Sequence, residues 1–307
     1  MIELDWMTPE APYMPIACAG LLSALHDAGD PATLRWNSTG SGKSLALETP
    51  LTAAEVAQAL IDAPWPDLNT IPWGIKRGQA IKPMLEAAAD PVAELRRLRE
   101  AADRRGGLGE QRLLRSLVCD AKLDDYGVPA RNRLLRGVKA DLSGVAEKVS
   151  LSLKDLEHEL THGFSWRNGN TGRTLGFAPE VQTFGGTTGR KPSAVGSESA
   201  LLYRLLWLGI LVLTPVAVTY KGSTVLGGPL FTGSKGSDVT LSWPVWEFPA
   251  DLRTLKTMYS MPQIHFDQRA GLPIDWAKAR GVTAVYRVTS IPINSMIGAF
   301  RWAEQIL

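Results

Sequence analysis

The residues that best match a catalytic motif lie at 158–162, where His-Glu-Leu-Thr-His has the HExxH spacing. In zinc peptidases this spacing places two imidazoles on one face of a helix, with the carboxylate beside them as general base. Zinc needs a further ligand, and the side chains that could supply it are Glu180, Glu198 and His265. None of these lies in a recognisable continuation of the motif, and the helix is expected to end at Gly163.

A structural helix is the interpretation we favour for this segment. Its apolar side is predicted to face the core with Leu153, Leu156, Leu160 and Phe164. Its polar side is predicted to face water with His158, Glu159 and His162. A histidine late in a helix also suits the negative end of the helix dipole. A zinc-dependent hydrolase that uses these three polar residues is the minority alternative, and we expect no metal or other cofactor.

A second motif, NSTGSGKS at 37–44, differs by one residue from a phosphate-binding P-loop. P-loops join a strand to a helix, whose first backbone N–H groups cradle the phosphates. Here Asn37 replaces the first glycine, and the strand-like SLALE follows in place of a helix. The segment is therefore predicted to be the tip of a β-hairpin.

Four basic segments in loop-like contexts share a composition: WGIKRGQAIKP (73–83), RNRLLRGVK (131–139), WRNGNTGR (166–173) and TGRKPS (188–193). Nucleic-acid phosphates are contacted by Lys, Arg, Asn and backbone N–H groups, and Trp or Arg planes stack on bases. We expect the segments to converge on one surface that binds nucleic acid. The predicted phosphate contacts are Lys76, Arg77, Arg131, Arg133, Arg136, Arg167, Arg173, Arg190 and Lys191.

The elements that position these residues are predicted to form an α+β fold, with short, mostly antiparallel sheets, packed helices and a long Gly-rich central loop from Asn168 to Gly196. The first half should contain a strand at 2–6, a helix at 13–28, hairpin arms at 33–36 and 44–48, a helix at 53–63 with a Thr52/Glu55 capping box, and helical segments over 78–117. The second half should contain a helix begun by Ser152, a helix at 197–208, strands at 210–220 and 239–243, helices at 249–259 and 275–281, a strand at 282–288, and a last amphipathic turn or two at 298–307.

The chain is long enough for two α+β parts, 1–150 and 151–307, which can also be fused into one domain. Hydrophobic residues make up 45% and charged residues 21%, as in ordinary globular proteins. The two cysteines, in apolar surroundings, exclude a disulfide framework and a cysteine-based zinc site. The acidic start does not match a secretory signal, so we expect a cytoplasmic protein. Ala200 to Val218 is predicted to be a buried helix and strand, with no membrane contact.

Positive charge is unevenly placed along the sequence. Residues 1–65 hold eight carboxylates against two cations, a net charge of −6, so with a total of +2 the remaining residues carry +8. This asymmetry permits one basic surface on a protein that is not basic as a whole.

Three stretches together resemble CRISPR-associated proteins of subtype I-G (formerly I-U), from the large-subunit-like part of the RNA-guided surveillance complex. The first is the opening strand with PIACAGLLSAL (15–25) and the hairpin around LRW (34–36). The second is GFSWRNGNTGRTLGFAPE (163–180), followed by ESALLYRLLWLGILVLTPVAV (198–218) and VTLSWPVWEFPADLRTLKTM (239–258). The third is ARGVTAVYRV (279–288).

This resemblance implies a non-catalytic subunit of an antiviral effector complex, Cascade, with crRNA, target DNA and other complex subunits as partners. In such complexes guide pairing reads the sequence, while protein subunits hold the backbone on positive surfaces. The helix bearing HELTH falls where that group carries an ordinary helix. Large subunits are usually longer than 307 residues, so reading of a flanking DNA motif is not carried over. A protein-only adaptor is the third hypothesis.

Overall fold

The computed structural model describes residues 1–39, 42–66, 81–105, 107–124, 126–132, 152–165, 167–168, 197–220, 223–233, 239–261, 264, 274–289, 291–292 and 298–307. Within these residues the chain has an α+β fold of nine helices and fifteen short strands. The helices are α1 Met14–Asp27, α2 Ala53–Asp62, α3 Ile81–Glu86, α4 Pro91–Arg105, α5 Leu108–Leu117, α6 Leu153–His162, α7 Ala200–Val212, α8 Leu252–Tyr259 and α9 Ile274–Lys278.

The strands pair in antiparallel sheets, as predicted. They are β1 Ile2–Leu4, β2 Thr33–Thr39, β3 Gly42–Glu48, β4 Val118–Leu123, β5 Pro129–Arg131, β6 Arg167–Asn168, β7 Ser197–Glu198, β8 Val216–Tyr220, β9 Ser223–Gly228, β10 Phe231–Gly233, β11 Val239–Trp246, β12 Val282–Thr289, β13 Ile291–Pro292, β14 Gly298–Ala299 and β15 Glu304–Gln305. One sheet has the order β1-β3-β2, and the largest has the order β15-β12-β11-β10-β9-β8.

The P-loop-like segment lies in the predicted hairpin. Strands β2 and β3 pair in register from Thr33 opposite Glu48 to Thr39 opposite Gly42. Lys43, at the position of the P-loop lysine, lies 3.8 Å from the Glu247 carboxylate and donates to the Thr283 hydroxyl. A strand follows this lysine, so no helix N-terminus is present to cradle a phosphate.

Helices α1 and α7 form the centre of the molecule and bury nearly all their side chains. They approach closely because each presents a glycine to the other. A Cβ at Gly20 would overlap the Leu205 carbonyl, and one at Gly209 would overlap the Ile16 carbonyl. The helix predicted within 200–218 is confirmed, and it continues to Val212. The strand is also present, from Val216, but its predicted burial is wrong, because Val216 and Thr219 are exposed. Because the run is apolar throughout, its pattern could not locate the boundary.

One continuous apolar core joins the two halves of the chain. It contains Leu4, Ile16 and Trp36 from the first half, and Leu205 and Trp243 from the second. Both cysteines are buried in it as free thiols. No helix within the described residues is long and apolar enough to cross a membrane.

The end of the chain differs from its prediction. The expected amphipathic turn at 298–307 is wrong, because Gly298–Ala299 and Glu304–Gln305 form strands that pair with β13 and β12. A segment this short cannot offset the cost of helix nucleation by itself, so an available sheet edge decides its conformation. Strands β9 and β10 likewise occupy the region predicted to be a Gly-rich turn after residue 220.

Candidate functional site

The HELTH segment lies on α6, as predicted, with Ser152 as N-cap and Gly163 directly after the helix. Leu156 and Leu160 are fully buried, which confirms their place in the core. Leu153 is 39% exposed, so its predicted burial is wrong. Since the N-cap precedes it directly, Leu153 lies in the first turn, where the helix has not yet reached the core.

Glu159 does not face water, and this part of the prediction is wrong. Its side chain is fully buried, and Oε2 accepts hydrogen bonds from the Ser199 hydroxyl and from the backbone N–H of Leu201 at 3.1 Å. Ser199 is the N-cap of α7, and its hydroxyl also accepts from the Leu202 N–H. A carboxylate at this place satisfies the free N–H groups of a helix start and interacts favourably with the helix dipole. The HELTH glutamate therefore joins α6 to α7.

The two histidines of HELTH do face water, as predicted. The imidazoles of His158 and His162 stack with ring centroids 4.5 Å apart and an interplanar angle of 22°. In the part of the chain that the structure describes, no group of three or more His, Cys, Asp or Glu could hold a metal ion. Of the candidate third ligands, Glu198 lies on β7, while Glu180 and His265 lie outside the described residues. The zinc peptidase arrangement is therefore incomplete where the structure can be followed.

Most of the predicted phosphate contacts lie outside the described residues, namely Lys76, Arg77, Arg133, Arg136, Arg173, Arg190 and Lys191. Arg131 is on β5, opposite Val118 of β4. Arg167 is on β6, and the register places it opposite Glu198 of β7. Both arginines thus belong to short antiparallel pairs, and their convergence with the other basic residues stays a prediction.

Most arginines of α4 and α5 lie within 4 Å of a carboxylate. Five of them form ion pairs with N–O distances between 2.5 and 3.9 Å: Arg97–Glu94, Arg99–Asp120, Arg104–Glu100, Arg112–Asp27 and Arg115–Asp103. The Arg112 guanidinium binds both oxygens of the Asp27 carboxylate, at 2.5 and 2.8 Å. Arg99 and Arg112 are held in partly buried pairs, whereas the side chains of Arg97, Arg104 and Arg115 remain more than half exposed.

A cavity of about 1080 Å³ is lined by α1, the loop before β2 and α8. Its apolar lining includes Leu22, Leu252 and Met261. Its charged lining has both signs, with Asp30, Asp251, Arg253 and Lys256. Burial lowers the pKa of Lys256, and the positive charge of Arg112 lowers it further. No pattern in the sequence predicted this cavity, because it is formed by elements that are distant along the chain. The two carboxylates balance the two cations, so the charges of the lining do not point to one class of ligand.

Arg204 is a buried cation with a structural role. Its guanidinium donates to the carbonyls of Leu60, Ile61 and Ala63 at 2.7–3.1 Å, at the C-terminal end of α2. It also stacks on Trp65, 4.3 Å from the ring centroid. Burial lowers its pKa to about 10. Buried Glu159 thus caps the N-terminus of α7, and buried Arg204 caps the C-terminus of α2.

Comparison with known proteins adds no family to this description, because no family model matches the chain and no curated protein matches it significantly.

Proposed function

We propose that this chain is a non-catalytic, nucleic-acid-binding subunit of an RNA-guided type I CRISPR surveillance complex. Its partners would be crRNA, target DNA or both, together with other subunits of the complex, in the cytoplasm. The proposal rests on the sequence resemblance and on the distribution of charge in this chain.

The observation that carries the proposal is the separation of charge between the basic segments and the rest of the chain. Segments 73–83, 131–139, 166–173 and 188–193 contain eleven Lys and Arg residues and no carboxylate. Since the total charge is +2, all other residues together carry −9. A charge surplus confined to Gly- and Asn-containing segments is typical of surfaces that bind a phosphate backbone.

The ion pairs of α4 and α5 support this assignment, because an arginine that is paired with a carboxylate is less available to bind phosphate. Five of the seven arginines there have carboxylate partners within 4 Å, so much of their positive charge is balanced by neighbouring carboxylates. The cations of the four basic segments have no carboxylate within their own segments. We therefore assign the nucleic-acid contacts to the segments and not to the arginine-rich helices.

The position of Glu159 favours a non-catalytic role for the HELTH segment. A general base must reach a metal-bound water beside the two histidines. The Glu159 carboxylate instead accepts hydrogen bonds from Ser199 and Leu201 in the core. The carboxylate required for hydrolysis is thus used to position α7.

The test compares two triple variants of equal charge change. Arg133→Gln/Arg136→Gln/Arg190→Gln removes three cations from the basic segments, and Arg97→Gln/Arg104→Gln/Arg115→Gln removes three ion-paired cations. Fluorescence anisotropy would follow binding of labelled single-stranded RNA and duplex DNA, each of about 20 nucleotides or base pairs, over a series of salt concentrations. The slope of log K against log salt should fall by about 0.7–0.9 for each lost phosphate contact in the first variant and stay unchanged in the second.

Equal binding by both variants and the parent protein would contradict the assignment of the contacts. Absence of nucleic-acid binding, combined with stable association with the other complex subunits, would instead support the protein-only adaptor.

A further inference from the structure

The exposed side of α6 carries a histidine pair that the proposed function does not use. His158 and His162 are four residues apart and both face water. Their rings already lie side by side, with centroids 4.5 Å apart. Neither ring is packed in the core, so both are accessible to an ion from solution.

The hydrogen bonds of His162 determine which of its nitrogens is free. Its Nδ1 lies 3.1 Å from the His158 carbonyl oxygen and 2.7 Å from the Thr161 hydroxyl. A carbonyl oxygen only accepts, so we assign the tautomer that carries the proton on Nδ1 and the lone pair on Nε2. Histidines that bind metal ions commonly donate their other N–H to a backbone carbonyl in this way, which fixes the tautomer and the ring orientation.

The charge of the helix end also favours a cation. The pair lies in the last turns of α6, where the helix dipole is negative. Lys154, one turn before His158, opposes this effect, while Asp155 and Glu157 add negative charge to the same helix. Glu159 points into the core, so it contributes no ligand on this side.

We propose that His158 and His162 together bind one divalent late transition-metal ion at the surface of α6, with water in the remaining coordination positions. Neutral imidazoles are good ligands for Cu²⁺, Ni²⁺ and Zn²⁺. Cu²⁺ should bind most tightly, because nitrogen ligands bind it more strongly than the other divalent ions of the first transition series. Mg²⁺ prefers oxygen ligands and should not bind. The site is independent of the proposed nucleic-acid binding and has no hydrolytic role.

The experiment titrates Cu²⁺, Zn²⁺ and Mg²⁺ separately into the full, untagged chain by isothermal calorimetry. About one Cu²⁺ should bind per chain, with Zn²⁺ weaker and Mg²⁺ without effect. His158→Ala and His162→Ala should each weaken Cu²⁺ binding by on the order of tenfold or more, because the second imidazole is otherwise held next to the first. His26→Ala and His265→Ala, which change the other two histidines of the chain, should bind as the parent does.

A spacing control keeps the number of histidines constant. In Glu157→His/His158→Ala the two imidazoles lie five residues apart, about 140° around the helix, so they cannot share one ion. This variant should bind Cu²⁺ as weakly as the single-histidine variants. Parent-like affinity in this variant or in His158→Ala/His162→Ala would overturn the proposal, as would a lack of Cu²⁺ binding by the parent. Nucleic-acid binding should be the same in all these variants, so failure of either proposal can be recognised separately.

Discussion

At the level of single residues, two buried charges, Glu159 and Arg204, each satisfy backbone groups at a helix terminus. Glu159 satisfies N–H groups at the start of α7, and Arg204 satisfies carbonyls at the end of α2. Each charge has the sign that the helix dipole favours at its position. A charged residue in a motif-like sequence can thus be explained by a helix terminus that lies elsewhere in the chain.

Replacement of Glu159 tests its role in joining α6 to α7. Glu159→Gln keeps the shape of the side chain but removes the charge, so its hydrogen bonds to Ser199 and Leu201 weaken. We expect the free energy of unfolding to fall by about 1.5–3 kcal/mol in urea denaturation, the usual range for hydrogen bonds to a charged group. Glu157→Gln on the same helix is the control, and a change within about 0.5 kcal/mol is expected there. Equal stability of both variants would show that the cap contributes little.

Replacement of Arg204 tests its role at the C-terminal end of α2. Arg204→Met leaves three carbonyls at the C-terminal end of α2 without their donor and removes the stacking on Trp65. We expect a loss of about 3 kcal/mol or more in the free energy of unfolding. Arg204→Lys should recover only part of it, since an ammonium group cannot reproduce the planar guanidinium fork. Exposed Arg253→Met should change stability little, and a similar loss there would argue against a specific role for Arg204.

At the level of elements, the contact between α1 and α7 depends on the absence of two side chains. Gly20→Ala and Gly209→Ala would each place a Cβ against a backbone carbonyl of the facing helix, which cannot rotate away. Each substitution should therefore separate the helices and lower the melting temperature clearly, at a cost of about 1–3 kcal/mol or more. Gly107→Ala is the control, because its close neighbour is the flexible Glu110 side chain. A thermal unfolding series in which all three variants melt alike would contradict this account.

The start of α8 provides a pH-dependent element. Asp251 is its N-cap, and hydrogen bonds from Thr254 hold the pKa of this carboxyl below its usual value. The folded state therefore favours the ionised form of Asp251. The stabilisation that this carboxylate gives the folded state is fully present above the unfolded pKa of about 3.9, and it is lost as the pH falls through the folded pKa. The stability difference between the parent and Asp251→Ser should thus shrink between about pH 5 and pH 2 in urea denaturation, because serine caps without titrating. A difference that is constant over this range would contradict the prediction.

At the level of the whole molecule, residues before and after position 150 share one core. Helix α1 is apolar on nearly all sides and is covered largely by α7. A fragment of residues 1–150 would expose this surface to water. We expect the fragment to lack the near-UV circular dichroism of a packed core, whereas the full chain unfolds in one transition. A fragment with native-like near-UV signal and its own cooperative unfolding would establish an independent first domain.

The predictions that held depend on residues close together in the sequence. The Thr52/Glu55 capping box, the hairpin of β2 and β3, and the buried helix within 200–218 follow from side chains a few positions apart. The α+β class follows from the sum of such local signals. These features are encoded locally because caps, turns and apolar runs act through near neighbours.

Other features were decided by partners distant in sequence, which a pattern does not reveal. Glu159 is buried because Ser199, forty residues later, brings a helix start to it. Strand β15 forms because the edge of β12 is there to pair with. Arg99 and Arg112 likewise reach Asp120 and Asp27 only after folding. The residue types by themselves determined the class of fold and the surplus of positive charge in four segments. Tertiary structure decided which charged groups form hydrogen bonds or ion pairs within the molecule. These interactions depend on distance in space and not on distance along the chain.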